Sequence, residues 1–415
     1  MMRVDGEEAR NLAGFAVRRN PFDAFAVRLR ASVVSDRSRQ PPATIACGRS
    51  RPSPGICPPD WGLVSEPVSV PMSEEASMTT TTPRPSRKRE PDRNLAVELI
   101  RATEAAAMAS ARYLGRGDKN QVDAAAVDAM RPVLGTVAMR GVVVIGEGEK
   151  DEAPMLFNGE QVGDGTGPEV DIAVDPVDGT TLVAKALPDG LSVVALAERG
   201  KMFDPGPCFY MRKTVVPGSA AHVVDPEAPV GETIAAVAKA LGRKPDDLTV
   251  AVLDRPRHSG LVESIRAVGA RIKFLGDGDV AGAIMAASED TIDTGVDLLF
   301  GTGGTPEGVI AAAALRCLGG SIFARLAPRN EQERKAAIDL GYDLDRILTT
   351  TDLCGGEDIF FAATGVTDGA LLKGVRFGTN RISTTSLSMR ARSGTIRFIQ
   401  TFHDPVRSTL VPALD

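Results

Sequence analysis

The spacing of apolar positions along the chain changes at about residue 90. Before that point no helical or alternating period is sustained, and Arg, Pro and Ser are frequent, as in SDRSRQPPATIACGRSRPSPG. We therefore predict that residues 1–90 form a disordered extension. Three interpretations of it stay open: translation that begins at Met72 or Met78, a regulatory or targeting tail, and a tolerated appendage.

From residue 91 onwards the apolar spacing predicts helices and short strands. Asp92 is expected to cap a helix, and a second helix follows GRGDKN. Two apolar strands should end at Glu147 and Asp175, and another covers residues 191–198. This part of the chain predicts a subdomain over residues 91–228.

Strand and helix patterns alternate from about residue 233 to residue 318. LTVAVLD, ARIKFLG and VDLLFG are predicted strands, and TIAAVAKAL, HSGLVESIRAV, DVAGAIMAA and PEGVIAAAALRCL are predicted helices. Residues 358–402 read as strands separated by turns. Such alternation favours an α/β class with layered sheets, here as a second subdomain over residues 229–415.

Composition and charge exclude several classes of function. A net charge of −6 and a pI near 5.4 argue against a nucleic-acid partner, which favours a basic face. No apolar run approaches the roughly 20 residues of a membrane span, so no membrane partner is expected. The start, MMRVDGEEARN, is unlike a signal peptide, and we predict a cytoplasmic protein.

Cysteine and histidine are too scarce for several kinds of metal or disulfide site. The five cysteines are odd in number and form no CxxC pair, which favours reduced thiols. With three histidines, an imidazole-based zinc site is not expected. Any metal should be held by oxygen, which indicates Mg²⁺ or Mn²⁺.

Acidic residues cluster where predicted strands and helices meet loops. The segments are GDKNQVD, GEGEKDE, VDPVDGTT and GTGGTPEGV. Hydrolysis of a phosphate ester needs divalent cations to offset the anionic phosphate, and such cations need carboxylates from several directions. GTGGTPEGV lacks the lysine of a nucleotide-binding phosphate loop, so nucleotide binding is not predicted there.

The segment DPVDGT carries the densest candidate chemistry. Pro176 is expected to stop the strand, so that Asp175 and Asp178 converge on one ion. Gly179 permits a tight turn. Thr180 should open a helix, where its hydroxyl can cap the helix and orient an attacking water.

Two further segments predict substrate contacts. Arg255 and Arg257 follow a strand and are expected to clamp a second phosphate, the alternative being a solvated basic loop. Asp277 and Asp279 precede a helix, where hydrogen bonds to sugar hydroxyls and simple helix capping are both open.

In this order, GRGDKN, VVIGEGEKDEAPML, DIAVDPVDGT, RPRH, DGDVA and GGTPEGV resemble the class II fructose-1,6-bisphosphatases. That family is grouped with inositol monophosphatase in the lithium-sensitive phosphatase superfamily. The resemblance covers residues 92–402. It implies a five-layer α/β/α/β/α sugar-phosphatase fold of two subdomains with the metal ligands mostly in the first.

The resemblance also implies the roles of individual residues. The metal ligands fall on Asp123, Glu147, Asp175, Asp178 and Glu307, although Asp178 stands where many members carry Glu. The catalytic positions fall on Glu147, Asp175 and Thr180. The substrate-binding positions fall on Lys119, Asp178, Gly179, Thr180, Tyr210, Arg255, Pro256, Arg257, Asp277, Gly278, Asp279 and Gly304.

The implied reaction is hydrolysis of fructose 1,6-bisphosphate to fructose 6-phosphate and phosphate, as in gluconeogenesis. A metal-activated water would attack without a covalent intermediate. The implied partners are a small sugar bisphosphate and further copies of the chain in a dimer or tetramer. The open alternatives are sedoheptulose 1,7-bisphosphate or an inositol monophosphate as substrate, and a non-catalytic sugar-phosphate sensor.

Overall fold

The structure, a computed structural model, describes residues 95–147, 156–289, 291–292 and 294–410. They all belong to one compact unit, Arg87–Asp415. The predicted extension over residues 1–90 and the predicted helix cap at Asp92 lie outside the described residues and stay predictions.

The described residues form nine α-helices and fourteen strands. In chain order they are α1 (Leu95–Ser110), α2 (Lys119–Leu134), β1 (Arg140–Ile145), β2 (Gln161–Val162), β3 (Glu169–Asp178), α3 (Thr180–Ala184), β4 (Leu191–Glu198), β5 (Tyr210–Val216), α4 (Val230–Ala240), β6 (Thr249–Leu253), α5 (Ser259–Ala267), β7 (Arg271–Leu275), α6 (Val280–Ala287), β8 (Leu298–Gly304), α7 (Thr305–Leu318), β9 (Ser321–Leu326), α8 (Glu331–Asp339), β10 (Leu348–Thr349), α9 (Thr350–Leu353), β11 (Phe360–Gly365), β12 (Arg376–Phe377), β13 (Ile382–Arg390) and β14 (Thr395–His403).

The strands of the described residues build two mixed sheets. The first has the order β12-β13-β11-β4-β3-β1-β2, with β14 also paired to β13. In it β3 runs parallel to β1 and antiparallel to β4. The second has the order β10-β9-β5-β8-β6-β7, and its β6 runs parallel to both β7 and β8.

Helices cover both sheets and fill the space between them. Helices α1 and α2 pack on the first sheet, and α7, beside α6, contacts strands of both sheets. On the far side of the second sheet, α4 and α5 pack against each other, with α5 against β7, around an apolar cluster that includes Ile234, Val250 and Ile265. The layers are therefore α/β/α/β/α, which confirms the predicted fold.

The alanine-rich sequence of α7 explains its place in the middle layer. Ala311, Ala312, Ala313 and Ala314 are all fully buried, so no surface of this stretch is left for solvent. Small side chains let a helix approach a sheet closely on both of its sides. The largest apolar cluster of the described residues lies around this helix, between the two sheets.

The residue ranges of the two sheets do not coincide with those of the two predicted subdomains. The second sheet uses residues 210–349, whereas the first combines residues 140–198 with residues 360–403. The predicted boundary at residues 228 and 229 thus falls within the segment that forms the second sheet.

Six elements of the described residues were not predicted: β2, β5, β9, α8, β10 and α9. Strand β5 reads YMRKTVV, and its two consecutive charged residues hide the alternation of apolar positions. Arg212 points to solvent, but Lys213 is 2% exposed. A buried lysine is rare unless it is paired, and this one becomes important at the site described below.

Two further features bear on the excluded classes. Within the described residues no helix has the length and apolar character needed to cross a membrane. Cys208, Cys317 and Cys354 are free and buried. Cys47 and Cys57 lie outside the described residues.

Candidate active site

Five acidic side chains from separate elements lie close enough to influence one another. Asp123 lies on α2, Glu147 follows β1, Asp175 and Asp178 close β3, and Glu307 lies in the first turn of α7. These are the five predicted metal ligands. Asp123 comes from a helix on one face of the first sheet, Glu307 comes from a helix on its other face, and the other three lie at the ends of β1 and β3. Residues 148–155, the rest of the GEGEKDEAPM motif, lie outside the described residues.

An irregularity in β3 places two of these carboxylates on the same side. Asp175 pairs with Val193 on β4, but Asp178 pairs with Leu191, so three steps on β3 match two on β4. Residues three apart in a regular strand point to opposite faces, and an extra residue cancels that alternation. The prediction that Pro176 stops the strand is wrong, because β3 continues to Asp178. The predicted convergence is produced by the bulge instead.

Burial and mutual repulsion disfavour the ionised form of these carboxylates. Burial raises the pKa of Asp175 well above its ordinary value, and the charges of Asp178, Glu147, Glu307 and Asp123 raise it further. A cluster of like charges with little solvent favours protonation or the arrival of a cation. Asp175 is the carboxylate that all four others affect, so it lies at the centre of the cluster.

The pKa of Glu147 is raised in the same way, and this makes the stability of the protein depend on pH. Burial, followed by the charges of Asp123 and Glu307, raises the pKa of Glu147 from 4.5 to about 7. The native protein then binds a proton between pH 4.5 and 7 that the unfolded chain has released. Stability must therefore fall as the pH rises through that window, by about 3 kcal/mol for this group alone.

We predict that metal-free protein loses this increment of stability between pH 4.5 and 7. The check is the free energy of unfolding in denaturant at several pH values, in chelator, for the wild type and for Glu147→Gln. The glutamine variant lacks the titrating group, so the difference between the two proteins reports the titration of Glu147 together with its effect on the neighbouring carboxylates. A difference that does not change with pH would contradict the assigned pKa.

Thr180 is hydrogen-bonded to the acidic cluster. Its Oγ1 donates to Oδ1 of Asp123 at 2.8 Å and also lies 3.1 Å from the carbonyl oxygen of Val177. It is the first residue of α3, whose cap position is Gly179 in the left-handed conformation, with φ of 87°. The predicted capping role of Thr180 is wrong, because its hydroxyl bonds to Asp123 instead. The tight turn predicted at Gly179 is present.

The loop between β7 and α6 closes over the same cluster. Asp277 accepts a hydrogen bond from the amide of Thr181 at 3.2 Å and pairs with Arg255 at 2.5 Å. At Gly278, a Cβ atom would lie 2.4 Å from Oδ1 of Asp178, so only glycine allows this approach. The loop therefore contacts the second half of the DPVDGT segment and the residue that follows it.

The two predicted phosphate-binding arginines have different partners. Besides Asp277, Arg255 donates to the carbonyl oxygen of Gly276 at 2.7 Å. Arg257 donates to the carbonyl oxygen of Thr302 at 2.7 Å, and its guanidinium carbon lies 4.9 Å from the centre of the Tyr210 ring. Both arginines thus have hydrogen-bond partners within the protein, and Arg257 is exposed to solvent. Tyr210 and Arg257 form the only stacked pair that joins two predicted substrate residues within the described part of the chain.

His258 bonds to Thr302, the residue that also holds Arg257, and we assign it no role in the reaction. Its Nδ1 lies 2.8 Å from the carbonyl oxygen of Leu253, and its Nε2 accepts the amide of Thr302 at 2.8 Å. The buried ring therefore ties the end of β6 to β8. His258 directly precedes α5, and both of its ring nitrogens have hydrogen-bond partners.

Lys213 lies inside the site and was not predicted. Its Nζ lies 2.5 Å from Oδ2 and 2.8 Å from Oδ1 of Asp279, and 3.0 Å from the carbonyl oxygen of Gly304. Asp279 stands at the cap position of α6, but its side chain makes no capping bond, so the capping alternative is wrong for it. A charged residue in the unpredicted strand β5, three positions after Tyr210, was the available signal.

The remaining predicted residues frame the cluster. Lys119 opens α2, and its charge works against the rise that burial causes in the pKa of Asp123. Pro256 fixes the backbone between the two arginines in a short 3-10 turn. At Gly304, a Cβ atom would lie 1.8 Å from Oε2 of Glu307, so the absent side chain makes room for that carboxylate.

The donor set fits a hard divalent cation. All candidate ligands are carboxylates, and Oε2 of Glu307 is buried without a hydrogen-bond partner among the described residues. Within those residues no three side chains of Asp, Glu, His or Cys already form a coordination shell, so the carboxylates are neighbours that must adjust to bind an ion. Mutual repulsion of like charges accounts for this spacing.

Comparison with known proteins identifies the family. Residues 93–403 match the family described as bacterial fructose-1,6-bisphosphatase, glpX-encoded. The chain is 44% identical to fructose-1,6-bisphosphatase class 2 of Haemophilus influenzae over 325 residues, which is 75% of this chain and 96% of that relative. It is 41% identical to fructose-1,6-bisphosphatase 1 class 2 of Escherichia coli, over 75% of this chain and 95% of the relative.

A third relative carries a double name. The chain is 43% identical to D-fructose 1,6-bisphosphatase class 2/sedoheptulose 1,7-bisphosphatase of Prochlorococcus marinus, over 75% of this chain and 96% of that protein. Fold, acidic cluster and relatives together define a phosphatase. The chain belongs to the family of glpX-encoded bacterial fructose-1,6-bisphosphatases.

Proposed function

We propose that this protein hydrolyses fructose 1,6-bisphosphate to fructose 6-phosphate and inorganic phosphate. Relatives at 41–44% identity bear the name of that activity. The observation that carries the proposal is the cluster of five carboxylates, with Asp178 buried and the other four partly buried, and the hydroxyl of Thr180 bonded to one of them. No other arrangement in the described residues offers comparable chemistry.

We further propose that Mg²⁺ or Mn²⁺ serves the reaction. The residues that would hold it are Asp123, Glu147, Asp175, Asp178 and Glu307. When bound, such cations would offset the charge of the scissile phosphate and of the leaving oxygen. The mutual repulsion of these carboxylates supports this, because a cation would remove it.

The hydrogen bond between Thr180 and Asp123 gives the chain a route for a proton. Oγ1 of Thr180 already donates to Asp123, so its lone pairs are what it can offer an attacking water. As the water attacks, Oγ1 can take its proton while the threonine proton moves to Oδ1 of Asp123. Asp123 is thus the carboxylate that receives the proton. No covalent phosphoenzyme is needed.

Arg257 and Tyr210 are suited to hold the phosphate that is not cleaved. The stacked ring and the two bonds to Thr302 fix the direction of the guanidinium. A fixed guanidinium binds a phosphate with little loss of side-chain entropy. Arg255, anchored on Asp277, would contribute from the neighbouring loop.

A second candidate substrate is sedoheptulose 1,7-bisphosphate. The relative from Prochlorococcus marinus carries that activity in its name. The same anchored arginine would accept the distant phosphate of either sugar. An inositol monophosphate has no second phosphate for it, so the anchored Arg257 gives that substrate less support.

Several broader statements belong to the same proposal. We place the protein in the lithium-sensitive superfamily that includes inositol monophosphatase, in the cytoplasm, and in gluconeogenesis. We also propose that it acts as a homo-oligomer, a dimer or tetramer. The partner it needs for turnover is the sugar bisphosphate.

The experiment is phosphate release by the purified full chain with Mg²⁺ or Mn²⁺. The panel contains fructose 1,6-bisphosphate, sedoheptulose 1,7-bisphosphate, inositol 1-phosphate and p-nitrophenyl phosphate. We expect the highest kcat/KM on fructose 1,6-bisphosphate and none of this activity in excess chelator. A preference for the inositol ester, or full turnover in chelator, would overturn the proposal.

Arg257→Ala tests the bisphosphate preference. We expect kcat/KM for fructose 1,6-bisphosphate to fall by about 10- to 150-fold, which is roughly 1.5–3 kcal/mol for a charge-assisted contact. Hydrolysis of p-nitrophenyl phosphate should stay almost unchanged, because that ester has no second phosphate. Arg266→Ala, an exposed arginine on α5, is the matched control. Equal losses on both esters would remove Arg257 from the distant-phosphate site.

A further inference from the structure

We propose that Lys213 is a positioning residue that locks the 277–279 loop and the turn at Gly304 into one rigid sugar-phosphate site. This rests on the proposed function, since the two segments it joins are predicted substrate contacts. Lys213 itself would not touch the substrate. Its ammonium group would set where the neighbouring groups stand.

The side chain of Lys213 contacts two other parts of the chain. It lies on β5, in the middle of the second sheet, between β8 and β9. From there Nζ contacts both oxygens of Asp279 and the carbonyl oxygen of Gly304. Two of these contacts, to Oδ1 of Asp279 and to the carbonyl oxygen of Gly304, are hydrogen bonds, and the third completes the ion pair with Asp279.

The surroundings are shaped to hold this pair. Lys213 is 2% exposed and Asp279 is 4% exposed, so the ion pair is removed from water. At Gly303, a Cβ atom would lie 2.2 Å from Oδ2 of Asp279 and 3.0 Å from Nζ of Lys213. The absent side chain is therefore what lets the pair form beside β8. A buried pair of this kind contributes more to a unique geometry than to net stability.

The two groups that Lys213 holds, Asp279 and Gly304, lie next to residues that contact the acidic cluster. Asp279 ends the loop whose Gly278 lies against Asp178, and Gly304 makes room for Glu307. The carboxylate of Asp279 is committed to Lys213, so the loop would offer the sugar mainly its backbone and Asp277.

Lys213→Met keeps the length of the side chain and removes its charge. We expect KM for fructose 1,6-bisphosphate to rise by about tenfold or more, because a displaced loop misplaces the sugar. Turnover of p-nitrophenyl phosphate should stay within about threefold of the wild type, since that ester does not use the sugar site. Melting temperature should fall by several degrees, because Asp279 is left buried and unpaired.

Lys213→Met/Asp279→Asn separates positioning from simple charge burial. With both charges gone, melting temperature should recover towards that of the wild type, while KM should stay as high as in Lys213→Met. Asp279→Asn alone should raise KM by a similar factor, because two residues that act as one unit are not additive. If Lys213→Met fails to fold, the double variant and Asp279→Asn still give these values.

The outcomes distinguish this proposal from the proposed function. A wild-type KM in the double variant, or equal losses on the two esters in Lys213→Met, would overturn the positioning role alone. The concentration of Mn²⁺ that gives half of the thermal shift should not rise in Lys213→Met. A large rise would instead assign Lys213 to the metal cluster. A wild type without activity on any sugar bisphosphate would overturn the proposed function itself.

Discussion

Replacing Asp175 with Asn is expected to lower kcat on fructose 1,6-bisphosphate by about 1000-fold or more, on the order of 4 kcal/mol of barrier. Asp175 is the carboxylate whose pKa is affected by all four other predicted ligands, so its charge counts most for any ion held there. Its Oδ1 also accepts the amide of Val177 at 3.0 Å, which fixes its direction. The check is phosphate release at saturating substrate and Mn²⁺.

A matched control lies on the same strand. Asp171 is 2% exposed and accepts the amides of Lys201 and Met202, but it lies at the far end of β3. Asp171→Asn should reduce stability and leave kcat within about threefold, because four residues of strand span roughly 13 Å. Thermal shift with Mn²⁺ should be large for Asp171→Asn and nearly absent for Asp175→Asn. Similar kcat values for the two variants would refute the central role of Asp175.

The elements that were predicted well are those whose apolar period is unbroken. The strands at residues 170–174 and 191–198 are buried almost throughout, and burial of both faces leaves a continuous apolar run in the sequence. The strand at residues 142–145 is also a continuous apolar run, although Val142 and Val144 are only partly buried. The helix over residues 305–318 is also largely buried and was also predicted. Strand β5 was missed because Lys213 occupies a buried position, and a single sequence does not show that a distant Asp279 would pair with it.

The sequence indicated which residues form the acidic cluster, but it did not indicate how they are arranged. DPVDGT indicates two carboxylates near a turn, and the family resemblance implies the other three. The bulge between Asp175 and Asp178 depends on pairing with β4, which is a tertiary contact. The hydroxyl of Thr180 was expected to cap a helix, but the approach of α2 gives it Asp123 as a partner. Local preference is overridden where two distant segments meet.

Thr180→Val is expected to lower kcat by about 100- to 1000-fold with little change in KM. Valine keeps the shape of the side chain and removes the oxygen that bonds to Asp123. The hydroxyl is proposed to act on the attacking water, so its benefit appears in the transition state and not in substrate binding. The measurement is kcat and KM for fructose 1,6-bisphosphate with saturating Mn²⁺.

Thr180→Ser provides the rescue that a structural role would not predict. Serine keeps the hydroxyl within reach of Asp123 and loses only a methyl group, so kcat should stay within about tenfold of the wild type. A methyl group that mattered mainly for packing would give the opposite order, with valine tolerated and serine impaired. A valine variant with normal kcat and only a raised KM would show that Thr180 contacts the substrate. The proton route through Thr180 to Asp123 would then have to be abandoned, while the carboxylate cluster would keep its proposed role.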